Sequence, residues 1–348
     1  MTVVSVIMPT CNSAKWVAAT IDSLIAQTYP HLELIVVDDG SQDDTIAMVR
    51  QKLDRDFKAS WKLIELGTNR GPSAARNVGL GAANGAWVQF LDSDDLIPAT
   101  KFERQMAYCA QAPADVTAIY SPWRRCYIDD GKINWEGPLI EPDMEGRDPI
   151  MCLVGGFRPL HSAGLARRSV LEQVGGFDET LRFWECEELT FRLAKAGRLA
   201  KVASPEPCYF WRMHRGKIYI GGEEARYRSA PVAVSWIEQV LKAAEFRSLD
   251  ELGLPEADRR HLLDECTVWG RLLYAQDRSA FRRYLALAQQ LHPSIAPTNP
   301  AYAAAAAHYV GYEAAEWLAK QGRIPRTLVR KTLQKIGLRP QNSVFDWN

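Results

Sequence analysis

The chain of 348 residues predicts an α/β protein with a mostly parallel central sheet, followed by a helical C-terminal region. Three observations support this prediction. Strand-like and helix-like segments alternate through the first third of the chain, and acidic residues cluster where predicted strands end. Beyond about residue 220 the composition shifts to Ala, Leu, Arg and Glu with helical spacing.

The alternating segments predict the order of the elements. Short apolar segments rich in β-branched residues are predicted as strands at residues 3–8, 32–39, 61–66, 86–91 and 116–121. Amphipathic segments between them are predicted as helices at 14–28, 43–53, 71–83 and 102–109. Pro72 falls in the first turn of the third helix, where its missing N–H is tolerated. Ligands of such sheets bind beyond the carboxyl ends of the strands.

The second half of the chain has a looser pattern. Short helices are predicted at Ser169–Val174 and Glu187–Ala196. We place a domain boundary near residue 220, which separates a ligand-binding domain at 1–220 from a helical region at 221–348. For the helical region we expect an acceptor, oligomer or membrane-surface role.

Composition excludes several classes of protein. The 24% charged and 47% hydrophobic residues are typical of a soluble globular protein, and equal numbers of basic and acidic residues, 42 each, argue against nucleic acid as a partner. Seven scattered cysteines without a CxxC pair predict a reducing cytoplasm. We find no leader or spanning segment, and expect a cytoplasmic protein that at most lies on a membrane surface.

Acidic residues follow two of the predicted strands. Asp38 and Asp39 end the second strand, and Asp92, Asp94 and Asp95 end the fourth. Two carboxylates at i, i+2 can converge on one Mg²⁺ or Mn²⁺ ion. The alternative is a turn that caps the following helix. The first strand ends without the glycine fingerprint of a dinucleotide site, which counts against an NAD or FAD enzyme.

Four motifs occur in order: "VIMPTCN", "VVDDGSQDDT", "NRGPSAARNVGL" and "FLDSDD". Together they closely resemble glycosyltransferase family 2, the inverting enzymes with the GT-A fold, over about Val3 to His214. The resemblance implies a transferase domain at 1–220 that uses a nucleotide-sugar donor, most often a UDP-sugar, and a divalent metal, Mn²⁺ or Mg²⁺.

The resemblance also implies a nucleotide site at the ends of the first two strands. Asp39 would hydrogen-bond the base, typically uracil. The residues implied to line the base, the ribose and the adjoining loop are Pro9, Thr10, Asn12, Gly40 and Ser41. Family members usually have tyrosine at the position of Cys11, so stacking on the base is altered here.

The same resemblance assigns the acids of the fourth strand. Asp94 is the expected metal ligand, and Asp92 is expected nearer the ribose. If this segment aligns with the family motif in a shifted register, Asp95 takes the role of one of these two residues. Arg76 lies near the start of a helix, where backbone N–H groups and a guanidinium both favour the diphosphate. His214 fits the family's closing segment as a metal or pyrophosphate contact, or is simply hydrogen-bonded within its loop.

The acceptor side departs from the family pattern. In the segment "FWECEELTFRL" the family has a Glu-Asp pair whose Asp is the general base, and this register puts Glu185 at the Glu and Cys186 at the Asp. A thiol is a poor base because its thiolate acts first as a nucleophile and metal ligand. We predict Glu185 as the base, with Glu187 second. The third possibility is that the loss of the family's Asp impairs catalysis.

The tail contains a basic amphipathic segment. Val329, Leu333 and Ile336 form an apolar stripe beside several Arg and Lys residues. Such a helix can lie on anionic lipid, which would suit a polyprenyl-linked saccharide acceptor, or it can pack with its charged face in water. Oligomerisation stays open. The rival functions are a nucleotide-sugar-binding protein without catalysis and a nucleotidyltransferase, which would release pyrophosphate.

Overall fold

The structure, a computed structural model, describes residues 2–129, 132–154, 161–181, 183–214 and 230–292. The chain divides into two compact units, Met1–Gly222 and Glu223–Asn348. The division lies close to the boundary at residue 220 that the composition suggests.

The first unit is built on two sheets. In chain order the described strands are β1 (Val4–Thr10), β2 (Leu32–Asp38), β3 (Ser60–Glu65), β4 (Trp87–Phe90), β5 (Val116–Tyr120), β6 (Trp123–Asp129), β7 (Lys132–Ile140), β8 (Leu165–Arg167), β9 (Arg198–Lys201) and β10 (Phe210–Arg212). The main sheet has the order β3-β2-β1-β4-β8-β5-β9, and only β8 runs antiparallel to its neighbours. The predicted α/β class with a mostly parallel sheet is confirmed.

Helices connect and cover these strands. The described α-helices of the first unit are α1 (Val17–Ile25), α2 (Thr45–Asp56), α3 (Pro72–Ala82), α4 (Lys101–Cys109), α5 (Arg168–Gln173) and α6 (Glu185–Ala196). Short 3₁₀ helices lie at Pro149–Leu153 and His161–Ala163. All the helices predicted before residue 220 are present, with ends shifted by a few residues.

The central strands form the core because both of their faces are covered. Every residue of β1 and β2 is buried, and Ile7 of β1 lies between Ile35 of β2 and Phe90 of β4. Helix α3 approaches β1 closely at Gly79, where an added Cβ would lie 2.3 Å from the Ile7 side chain. Helix α3, whose first turn faces the predicted site, is therefore held firmly against the sheet.

The sequence did not predict the second sheet. Strand β6 pairs with β7 in an antiparallel hairpin, and β10 pairs with β6 in parallel. A backbone bridge from Leu96 to Phe210 then brings β10 beside the acidic loop that follows β4. The second sheet thus carries residues near 210 to the carboxyl edge of the main sheet.

The described part of the second unit is helical. Its helices are α7 (Ala230–Ala243), α8 (Leu249–Leu252), α9 (Glu256–Gln276) and α10 (Arg278–Leu291). The buried Tyr284 hydroxyl of α10 donates to the Cys266 carbonyl of α9 at 2.8 Å, which joins these two helices. The basic segment around Val329–Ile336 lies outside the described residues. Among the helices that are described, none combines the length and apolarity needed to cross a bilayer.

Candidate active site

The loops after β1 and β2 are bound to each other. The Asn12 backbone N–H, at a positive φ of 50°, donates to Ser41 Oγ at 2.9 Å, and the Gln42 N–H donates back to Asn12 Oδ1 at 2.8 Å. Ser41 Oγ donates in turn to Asp38 Oδ1 at 2.5 Å. The predicted nucleotide residues Asn12 and Ser41 therefore lie together at the carboxyl edge of the sheet.

Asp39 joins this edge to helix α3. Its two carboxylate oxygens accept the backbone N–H groups of Arg70 at 2.6 Å and Gly71 at 2.8 Å, and the side chain is buried. The next residue, Gly40, has φ 78°, and a Cβ there would lie 2.9 Å from the Asn69 nitrogen. Asp39 thus fixes the start of α3, and its contact with a base stays a prediction.

The end of β1 offers an unused polar group. Pro9 and Thr10 are buried, and within the described structure the Thr10 hydroxyl has no hydrogen-bond partner. The buried Ser73 hydroxyl, in the first turn of α3, likewise has no hydrogen-bond partner within the described structure. Cys11 is half-buried and accepts a contact from Asn69 Nδ2 at 3.4 Å, and burial raises the pKa of its thiol. These groups are suited to contact a bound polar ligand.

Asp95 points into the protein. Its carboxylate, 2% exposed, accepts the Tyr209 hydroxyl and the Arg212 backbone N–H, the latter at 2.7 Å. Burial, with Asp94 and Asp92 nearby, raises the pKa of Asp95 well above its usual value. Both oxygens serve to join the acidic loop to β10, and a nucleotide or metal contact of Asp95 stays a prediction.

Asp92 pairs with the predicted diphosphate arginine. Arg76 Nη2 donates to Asp92 Oδ1 at 2.8 Å, and Arg76 Nη1 lies 3.6 Å from Glu185 Oε1. The guanidinium is nearly buried and stacks over the Phe177 ring at 5.2 Å. Burial alone would lower the pKa of Arg76. The negative charges of Asp92 and Glu185 outweigh this effect, so the pKa lies above its usual value. Nε has no hydrogen-bond partner in the described structure and remains as a donor for an anion, whereas Nη1 has its ion pair with Glu185.

Asp94 meets His214 across the loop. His214 Nε2 lies 2.9 Å from Asp94 Oδ2, and the Trp16 ring packs against the imidazole with centroids 4.4 Å apart. This separation is a hydrogen-bond distance, and both atoms are of types that bind Mn²⁺, so an ion held by this pair would replace the hydrogen bond. Among the described residues no group of three His, Cys, Asp or Glu side chains forms a complete metal site. Any ion would need substrate oxygens or water as well.

Helix α6 presents the acceptor-side residues at its first turn. Trp184 precedes the helix with a left-handed φ of 67° and is itself buried, which favours a packing role for its ring over sugar stacking. Glu185, the first helical residue, turns toward Arg76, whereas Glu188 forms an ion pair with Arg192. Burial, with Glu185 nearby, raises the pKa of the Cys186 thiol well above its usual value. The thiol is therefore uncharged and cannot serve as the base.

His161 completes this side of the site. Its Nε2 atom lies 3.2 Å from Ser162 Oγ and 3.9 Å from Cys186 Sγ. Burial, assisted by Arg76, lowers the pKa of His161 to about 4. The imidazole is thus neutral at physiological pH.

Several site residues escaped the sequence analysis. Phe177, Trp16 and Tyr209 each support a predicted site residue, namely Arg76, His214 and Asp95. No local pattern marks them, because each contact joins residues that are distant in the chain.

The fold and site together define a GT-A-type domain. Solved structures agree: the chain is similar to residues 1–349 of S. aureus TarS, crystallised in complex with UDP-GlcNAc, with a TM-score of 0.60 and 20% identity over 92% of each chain. It is also similar to the mannosyltransferase PcManGT from Pyrobaculum calidifontis, in complex with GDP-Man and Mn²⁺, with a TM-score of 0.53 and 20% identity over 96% and 88% of the two chains.

Sequence comparison identifies the family. Residues 5–175 match the model of glycosyl transferase family 2, and this part of the chain belongs to that family. The succinoglycan biosynthesis protein ExoO of Rhizobium meliloti is 38% identical over 231 residues, which cover 62% of each chain. The chain spans between 21% and 62% of the length of four curated relatives that it matches, including ExoO.

Proposed function

We propose that this protein is a metal-dependent inverting glycosyltransferase. The donor would be a UDP-sugar. The acceptor would be a hydroxyl of a saccharide or of a lipid-linked saccharide, and the reaction would serve surface glycan biosynthesis. The observation that carries the proposal is the Asp94–His214 pair, 2.9 Å apart, together with the ion pair between the buried Arg76 and the half-buried Asp92. Further support comes from the relative ExoO, named for succinoglycan biosynthesis, and from TarS, which binds UDP-GlcNAc.

The donor occupies the carboxyl edge of β1, β2 and β4 in this proposal. The base and ribose lie among Asn12, Asp39 and Ser41, and the unused Thr10 hydroxyl contributes a polar contact. The diphosphate lies at the first turn of α3, where helix N–H groups and the free Arg76 Nε donor favour negative charge. Asp92 holds Arg76 in place and lies nearest the ribose.

Asp94 and His214 are the residues that would hold the divalent ion. A bound Mn²⁺ or Mg²⁺ supplies Lewis-acid stabilisation of the charge on the leaving nucleoside diphosphate. The imidazole ligand favours Mn²⁺ over Mg²⁺ because nitrogen suits the softer ion. PcManGT, which has the same fold, is crystallised with GDP-Man and Mn²⁺.

The acceptor hydroxyl would approach from the first turn of α6. In a single displacement the hydroxyl oxygen bonds to the anomeric carbon while the bond to the diphosphate breaks, which inverts the configuration. A base within hydrogen-bond reach removes the hydroxyl proton. Glu185 and then Glu187 are the candidates that the sequence supplies, and the geometry adds a third, His161.

The test is a screen of UDP- and GDP-sugars with Mn²⁺, Mg²⁺ or EDTA, with the nucleotide product identified by chromatography. We expect nucleoside diphosphate, formed only with metal and stimulated by a saccharide acceptor. Asp94→Ala should abolish this turnover, while Asp54→Ala, at an exposed position of α2, should not. Full activity in Asp94→Ala would refute the metal assignment, and release of pyrophosphate would instead indicate a nucleotidyltransferase.

A second candidate is a nucleotide-sugar-binding protein without transferase activity. The raised pKa of Cys186 favours it, because the position that resembles the family's base is an uncharged thiol. Thermal shifts with UDP-sugar and Mn²⁺ report binding, because a ligand that binds only the folded state raises the apparent stability. Binding without any donor turnover, whether or not acceptors are present, would favour this alternative.

The cellular setting is part of the proposal. We propose a cytoplasmic protein that contacts the inner face of the membrane, where polyprenyl-linked acceptors are found, through the basic C-terminal segment. All seven cysteines are free thiols, which agrees with a reducing compartment. Sedimentation with anionic vesicles, with and without residues 323–348, tests the contact. Equal sedimentation of the two forms would contradict it.

A further inference from the structure

Three of the groups on the acceptor side are poorly suited to act as the base. Cys186 is an uncharged thiol, and Glu185 Oε1 lies 3.6 Å from Arg76 Nη1, with which it forms a nearly buried ion pair. A carboxylate committed to a guanidinium gives up that pairing when it takes a proton. Glu188, one position beyond Glu187, is committed in the same way to Arg192, with nitrogen–oxygen distances of 2.7 Å and 2.6 Å.

His161 lies where the missing base would act. Its Nε2 atom is 3.9 Å from the sulfur of Cys186, the residue at the position of the family's carboxylate, and 3.2 Å from Ser162 Oγ. A short 3₁₀ helix, His161–Ala163, holds the residue, and the ring remains partly exposed. Nδ1, by contrast, is buried and has no hydrogen-bond partner among the described residues. Nε2 is therefore the nitrogen that faces the first turn of α6.

The His161 ring and the Arg76 guanidinium pack against the same aromatic side chain, Phe177. The centroid of the His161 ring lies 6.2 Å from that of Phe90, at the end of β4, and 6.3 Å from that of Phe177. The Phe177 ring also packs against Phe90 and against the Arg76 guanidinium. Phe177 therefore separates His161 from the Arg76 guanidinium, which pairs with Asp92.

We propose that His161 is the catalytic base that takes the proton from the acceptor hydroxyl, in place of a carboxylate on α6. This rests on the proposed transferase function. The hydroxyl oxygen bonds to the anomeric carbon, its proton passes to Nε2, and the carbon–oxygen bond to the diphosphate breaks with its electron pair on the leaving group. The imidazolium formed lies near Asp92, and Glu185 keeps Arg76 oriented. Burial and Arg76 lower the pKa of His161 to about 4, which keeps the ring neutral but makes it a weaker base than a free imidazole, so proton transfer is coupled to departure of the diphosphate.

The test compares His161→Gln in two backgrounds, the wild type and Cys186→Asp, which restores the family's carboxylate. In the wild-type background we expect kcat to fall about 100- to 1,000-fold, as for loss of a general base. In the Cys186→Asp background the same change should cost less than about tenfold, because the new carboxylate takes over. A loss of equal size in both backgrounds, or a His161→Gln enzyme within threefold of wild type, would overturn the proposal.

Glu185→Gln and Glu187→Gln are measured in the same two backgrounds. If Cys186→Asp rescues Glu185→Gln or Glu187→Gln, but not His161→Gln, that glutamate is the base and the proposal is wrong. The matched control is His31→Gln, in the loop before β2, where the ring packs against Tyr29 at 5.6 Å and should not affect turnover.

Donor binding separates this proposal from the proposed function. His161→Gln should bind UDP with Mn²⁺ as the wild type does, measured by calorimetry, because Nε2 serves the acceptor side. A lost binding signal would mean that the ring holds the donor or the fold, and would overturn the assignment. Wild-type protein that binds donor but transfers to no acceptor would instead refute the transferase function itself.

Discussion

Asp94 and His214 stand 120 positions apart in the sequence, yet His214 Nε2 lies 2.9 Å from Asp94 Oδ2. Strand β10 brings the two residues together, because its pairing with β6 and its bridge to Leu96 place His214, two residues after the strand, beside the acidic loop. The pair is the geometric centre of the proposed metal site.

His214→Ala should weaken the response to metal. Removal of the nitrogen ligand leaves Asp94 without its partner, so the Mn²⁺ concentration for half-maximal turnover should rise at least about tenfold. The preference for Mn²⁺ over Mg²⁺ should shrink as well, because oxygen ligands suit both ions. Titration of each metal in the donor-turnover assay, with calorimetry in the presence of UDP, measures both effects. An unchanged Mn²⁺ response would mean that the imidazole is only a loop contact.

Arg76→Lys should impair donor use although it keeps the charge. A lysine offers a single compact ammonium, whereas the guanidinium contacts Asp92 and Glu185 together and retains the free Nε donor. We expect kcat/KM for the donor to fall about 10- to 100-fold, the effect of one lost charged hydrogen bond. Arg50→Lys, in the exposed pair with Glu65, is the matched control and should change little. Equal kinetics for the two variants would contradict a diphosphate role for Arg76.

Asp95→Ala should destabilise the fold rather than affect donor binding alone. The change leaves the buried Tyr209 hydroxyl and the Arg212 N–H without an acceptor, at a cost of about 2–3 kcal/mol in the free energy of unfolding. Asp95→Asn should cost less, because it retains one acceptor oxygen and resembles the protonated acid that the raised pKa favours. Urea denaturation measures both. A wild-type midpoint for Asp95→Ala would show that the inward network contributes nothing.

Lys101 should make stability depend on alkaline pH. Its amine is fully buried, donates to Gln105 Oε1 at 2.6 Å, and has a pKa lowered by burial to about 7. The unfolded lysine titrates near 10.4, so between about pH 7 and pH 10.4 the unfolded chain binds more protons and stability rises with pH. Relative to Lys101→Met, the wild-type urea midpoint should therefore rise from pH 7 to pH 9.

The control for Lys101 is the exposed Lys58 on the segment before β3. Lys58→Met should follow the wild-type pH dependence closely, because this side chain is exposed to solvent in the folded protein. A Lys101→Met protein with the same pH slope as wild type would mean that this amine is charged in the fold.

The alternation of strands and helices was predictable because it depends on local periodicity. The fully buried β1 and β2 have continuous apolar runs, and α3 begins at Pro72 as its sequence indicates. The second sheet was not predictable in the same way. Strand β7 is largely exposed and β10 has three residues, so neither has a strong pattern, and their pairing depends on segments far apart in the chain.

The acidic loop illustrates the same limit at the scale of side chains. The sequence located three acids after β4, but their spacing alone did not assign their orientations. Asp95 faces Tyr209 and Arg212, while Asp92 and Asp94 face Arg76 and His214. The second sheet decides this, because it supplies the donors that make burial of one carboxylate favourable.

The sequence by itself determined the α/β class, the family resemblance and the position of the acids at strand ends, since all three depend on patterns of neighbouring residues. Only the tertiary structure decided which acid is internal, which cation pairs with Asp92, and that His161 lies beside Cys186. Those outcomes depend on distances of a few ångströms between residues remote in the chain, and the packing of sheets and helices sets such distances.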